Sequence, residues 1–144
     1  MKIRQVVFEE NTFGITQRSL QMLRDTLARS IDQHIAVLEV STNDLCCGYL
    51  ILNWDTGTAT FTGDGFRTDG GGEGGAGYRS AHALMALFRM RPFPIGSVDI
   101  EEIYHGHAES VKDKLLALAQ DLARTLHQQD FVMISDNKPG YVRG

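Results

Sequence analysis

Eight of the fifteen residues from Gly63 to Gly77 are glycine, and the run leads directly into the apolar segment "ALMALF" at Ala83–Phe88. Glycine is poor in helix and strand interiors but supplies positive φ and lets a backbone approach its neighbours closely. Eight glycines exceed the need of a single turn, so the stretch reads as a long loop. It divides the chain into two runs of regular structure.

Before the loop, Ile3–Phe8 is rich in β-branched and aromatic residues and predicts a strand. Leu20, Leu23, Leu27 and Ile31 recur at helical spacing within Thr16–Gln33, with Thr16 as the expected N-cap. Ile35–Ser41, Cys46–Trp54 and Thr58–Gly63 predict three more strands, joined by turn chemistry at Asn43-Asp44 and Asp55–Gly57. After the loop, a helix is expected from about Tyr78 to Met90, stopped by Pro92 and Pro94. Ala81, Leu84, Met85 and Phe88 share one of its faces, and Ala83, Ala86 and Leu87 make the others apolar, which predicts burial on several sides. Ser97–His107 predicts a fifth strand. Ala108–Leu126 is the clearest helix, with the stripe Val111, Leu115, Leu118 and Leu122, and "DFVMIS" predicts a last strand.

The order β-α-β-β-β-α-β-α-β implies an α+β fold: a mixed, largely antiparallel sheet of about six strands with three helices mainly on one face. Residues 1–135 form one domain, and 136–144 a polar C-terminal tail. The 144-residue chain is long enough to bury a core unaided. Its net charge of −4 argues against long nucleic acid as a partner. The two cysteines, Cys46 and Cys47, are adjacent and would point to opposite faces of a strand, so they fit reduced thiols rather than a shared metal clamp. The N-terminal segment lacks an apolar leader pattern, and no apolar run approaches the length of a membrane span. A cytoplasmic protein without membrane contact is the expectation.

The loop's side chains suggest a site. Arg67 lies within it, and Arg79 and His82 would occupy the first turn of the helix behind it. A helix N-terminus offers free N–H groups and partial positive charge, which hold anions. Arginine is unfavourable at that end of a helix unless an anion is bound. The expected ligand-binding set is Phe66, Arg67, Gly70, Gly71, Gly72, Gly74, Gly75, Tyr78, Arg79, Ser80 and His82, with Phe66 or Tyr78 stacking on a ring. The spacing matches neither the P-loop nor the dinucleotide fingerprint. The competing reading is a spacer loop whose glycines serve only the turn.

Other constellations are weaker. His105 and His107, with Glu102 or His82, could bind a metal, but they read more simply as loop residues. Asp64, Asp69 and Glu73 could hold Mg²⁺ beside a phosphate, and read more simply as solvated acids. Ser80 and His82 point about 200° apart on a helix and form no dyad. Glu101 and Glu102 alternate faces, so no catalytic set is specified, and no cofactor or metal is expected. Trp54, at a hairpin tip, is a core lid or an oligomer contact.

The leading expectation is a non-catalytic protein that captures a phosphorylated or nucleotide-like ligand. Compact viral proteins that sequester nucleotide immune signals provide an analogy of economy. The alternatives are a hydrolase or phosphodiesterase acting on a nucleotide-like substrate through a histidine and a carboxylate, and a protein-interaction or inhibitor module. A homo-oligomer is expected, on the strength of Trp54 and of Tyr141 and Arg143 in the tail.

Overall fold

A computed structural model describes residues 1–134. Its elements are β1 (Gln5–Val7), α1 (Thr16–Arg29), β2 (His34–Ser41), β3 (Cys46–Asn53), β4 (Thr58–Phe61), β5 (Phe66–Arg67), α2 (Gly72–Leu87), β6 (Phe93–Ser97), α3 (Ala108–Thr125) and β7 (Val132–Met133). The fold is α+β. Among the described residues, seven strands form one sheet in the order β1-β4-β3-β2-β6, with β5 also beside β3 and β7 also beside β2. The β2-β3-β4 meander is antiparallel, whereas β1 runs parallel to β4 and β6 parallel to β2.

Two strands explain the layering. β2 and β3 carry apolar residues on both faces, so both must be covered. Ile35, Val37, Tyr49 and Ile51 face α1 and α2, while Ala36, Leu38, Leu50 and Leu52 face α3. Two of the three helices therefore share a face and the third closes the other. α1 buries Leu20, Leu23 and Leu27, and each such leucine contributes about 1.5–3 kcal/mol. Ile31 lies beyond the helix end and is exposed, contrary to its place in the expected stripe. α3 buries Val111, Leu115, Ala119 and Ala123, with Leu118 and Leu122 packed at the margin. Trp54 packs edge-on against Phe131 at 5.2 Å, as a lid on this core.

Two local expectations change. Thr16 is the first residue of α1 rather than its cap; its hydroxyl instead donates to the Gly65 carbonyl at 2.6 Å. The strand expected within Ser97–His107 ends at Ser97. Beyond it, Asp99 Oδ1 accepts the Glu101 N–H at 2.9 Å and starts a 3-10 turn over Glu101–His105. β6 carries Pro94, which an edge strand tolerates.

The largest change concerns the glycines. α2 begins at Gly72 rather than near Tyr78, so Gly72, Gly74, Gly75 and Gly77 lie inside its first two turns. A Cβ on Gly75 would stand 2.1 Å from the Gly70 carbonyl carbon, and one on Gly77 would stand 2.2 Å from the Thr16 methyl. These glycines let α2 lie almost backbone to backbone on the chain that leads into it and close against α1. α2 is buried on one side only, through Ala81 and Met85; Ala83, Ala86 and Leu87 are exposed. Among the described residues, no helix is long and apolar enough to cross a membrane.

Candidate functional site

Just before α2 begins at Gly72, an acid of the chain itself meets two of the groups expected to hold an anion. Asp69 Oδ1 accepts the Gly71 N–H at 3.0 Å, just where α2 is capped. The same carboxylate takes Arg67 Nε at 3.0 Å and Arg67 Nη2 at 2.6 Å, a two-point grip. These contacts, Arg67 foremost, hold the Asp69 carboxyl below the usual carboxylate range. Arg67 and the Gly71 N–H at the cap of α2 therefore hold an acid of the chain itself.

The other expected residues separate. Phe66 is fully buried, its ring 5.2 Å from that of Tyr49, so it has no open face for a ligand. Gly70 turns the chain at φ +78° and accepts a bond from Arg79 Nη1 at 3.3 Å. Arg79 and Ser80 are exposed in the second and third turns of α2, past the end where free amides lie. Asp64 is buried and accepts from Gly14 N–H and Thr42 Oγ1, both at 2.8 Å, which ties the entry to α1 onto the sheet. His105 and His107 pair loosely with Glu101 and Glu102 in solvent. Among the described residues, no three His, Cys, Asp or Glu side chains converge as a metal site.

Tyr78 and His82, four residues apart on α2, do come together, around a residue outside the expected set. Glu39, on β2, points to the α2 face, and its Oε1 accepts from Tyr78 Oη at 2.9 Å and Tyr49 Oη at 3.5 Å. His82 Nε2 lies 3.2 Å from the same oxygen. The Tyr78 and His82 rings lean together at 4.3 Å. Burial and the Glu39 carboxylate push the Tyr49 and Tyr78 phenols up, so both stay protonated as donors. Burial, then the Glu39 charge, pushes the neighbouring Cys47 thiol up to about 12. Glu39 shares a sheet face with Ile35 and Val37, which strand alternation gives, but its partners on α2 lie too far along the chain for that alternation to reveal.

His82 links this network to a cleft of about 430 Å³, lined also by Ala86, Arg89, Met90, Arg91 and Pro92. The arginines follow the C-terminal end of α2, where the chain turns into β6; Pro94 of β6 pairs with Glu39 across the sheet. Neither Arg89 nor Arg91 forms an ion pair with a carboxylate among the described residues. Among the described residues, no acidic one lines the cleft. The result is a concave basic surface with the half-buried Glu39 carboxylate bonded to His82 on one of its walls.

Comparison with family models, curated proteins and solved structures finds no match for the chain.

Proposed function

We propose that the protein captures a phosphorylated or nucleotide-like small molecule, with its anionic group held in the cleft formed by His82, Arg89 and Arg91. The observation that carries this reading is the pair of arginines, exposed and without an acidic partner among the described residues, on the wall of a concave site. Guanidinium forks suit phosphate oxygens. The Tyr78–His82 ring pair gives the cleft an aromatic flank. Capture rather than turnover is the simpler reading, because among the described residues the lining side chains of His82, Ala86, Arg89, Met90, Arg91 and Pro92 include no hydroxyl, thiol or carboxylate to attack a bound ester. Two free thiols fit a reducing cytoplasm.

Incubation with a panel of nucleotides, followed by heat denaturation and recovery, tests this reading. Intact ligand is expected; altered ligand would favour the hydrolase alternative, and absence of retention would sink capture. A charge-assisted hydrogen bond contributes roughly 1.5–3 kcal/mol. Arg91→Ala should therefore weaken binding about ten- to a hundredfold.

We also propose a homo-oligomer. Ile31 and Leu87 are exposed, and an apolar groove of about 190 Å³ lies between α1 and α2. Tyr141 and Arg143 lie outside the described residues. A monomeric mass by light scattering at micromolar concentration would contradict the assembly.

A further inference from the structure

We infer that the segment Arg89–Met90–Arg91 is a ridge that grips the linking phosphate of a phosphodiester, whose two substituents lie in the depressions on either side. This inference rests on the phosphate reading above and narrows it from any phosphorylated compound to a bridged one.

These three residues line two depressions. The larger, of about 430 Å³, lies on the α2 side with His82 and Pro92. The smaller, of about 200 Å³, runs along β2 toward β7, with Val37, Phe93, Val132 and Gln129 among its walls. Both arginines line both depressions, and the smaller one adds the apolar residues Val37, Phe93 and Val132. A phosphomonoester carries its charge at one end and needs only one lobe. A cationic ridge between two lobes matches a ligand whose charge sits in its middle. Asp130 is the one carboxylate on either wall among the described residues, and its Oδ2 is engaged by the His127 N–H at 2.7 Å.

The backbone points to Arg89 independently. It adopts φ +57° just past the end of α2. Its N–H donates to the Ala86 carbonyl at 2.9 Å, and the Met90 N–H donates to the Met85 carbonyl at 2.9 Å. This is the paired-bond helix ending that glycine usually makes, because a Cβ is disfavoured at that φ. An arginine at a position where glycine would relieve strain implies a task for its guanidinium.

Calorimetry on the full chain tests the inference with inorganic phosphate, the four nucleoside 5′-monophosphates and the four 3′,5′-linked homodinucleotides. At least one dinucleotide should bind ten or more times tighter than its mononucleotide. Arg89→Gly should remove that preference while raising the melting temperature by about 2–4 °C. Gln129→Trp, made at the exposed rim of the smaller lobe, should lower dinucleotide affinity to the mononucleotide level and leave mononucleotide binding unchanged. If mononucleotides bind, with dependence on Arg91, but no dinucleotide binds tighter, the inference fails and the phosphate reading stands. If Gln129→Trp leaves the dinucleotide preference intact, the smaller lobe is not used and the inference fails. Absence of binding by every phosphate compound would overturn both.

Discussion

Cys46 and Cys47 stand side by side on β3 but face different surroundings. Cys46 is half-buried beside Arg67 of β5, and Cys47 is fully buried beneath α2 with its thiol pushed up to about 12. A thiolate is the reactive form, so a water-soluble maleimide at pH 8 should modify Cys46 alone in the folded protein. Equal modification rates, read by mass spectrometry, would show that the α2 face opens. Asp69 also belongs to this scale. Its folded-state pKa is depressed, so its contribution is complete above the ordinary carboxylate pKa of about 3.9 and is lost as pH falls through the lower folded value. Asp69→Asn should flatten that acid limb and increase amide exchange at Gly71 and the next few residues, with little effect near pH 7 on distant strands. An unchanged acid limb would remove Asp69 from the account. Neither Glu39 nor Arg89, which the proposed site draws on, stood out in the sequence. Glu39 gains its meaning from Tyr78 and His82, some forty residues away, and Arg89 from a backbone angle that its residue type disfavours.

Among the elements, α2 shows best where local reading ends. Each glycine costs a helix about 1 kcal/mol relative to alanine, and four of them in the first six residues of α2 argue for loop. Packing overrides that preference, because only residues without Cβ let α2 approach Gly70 and Thr16 so closely. Two substitutions separate the causes. Gly75→Ala opposes fixed backbone and should cost about 1–3 kcal/mol with no side-chain remedy. Gly77→Ala opposes the Thr16 methyl and should cost a similar amount, most of it recovered by Thr16→Ser, which removes the methyl but keeps the hydroxyl bonded to Gly65. Chemical denaturation measures both, and an absence of rescue would assign the cost to helix geometry rather than to contact. α1, α3 and the β2-β3-β4 meander were legible because periodicity, turn chemistry and tertiary packing agree there. β5 was not, since two residues carry no periodicity.

At the scale of the whole molecule, a sheet covered on both sides gives two apolar layers with the basic cleft at one edge. Leu115 is fully buried between α3 and the sheet, so Leu115→Ala should cost about 2–5 kcal/mol. A cost under roughly 1 kcal/mol would show that α3 does not close its face. The α+β class followed from element order, but the sequence reading placed the helices mainly on one face, whereas the apolar residues on both faces of β2 and β3 bring α3 to the other. The proposed cleft did not follow from the sequence, because the glycine segment resembles a ligand loop in sequence and packs as the start of a helix. Amide chemical-shift mapping distinguishes these directly. The protein, labelled with ¹⁵N, is titrated with the phosphate compound that it retains best. The account predicts the largest shifts at Ala86–Arg91 and His82, with small ones at Gly70–Gly74. The reverse pattern, with the largest shifts at Gly70–Gly74 and none at Arg89 or Arg91, would contradict it.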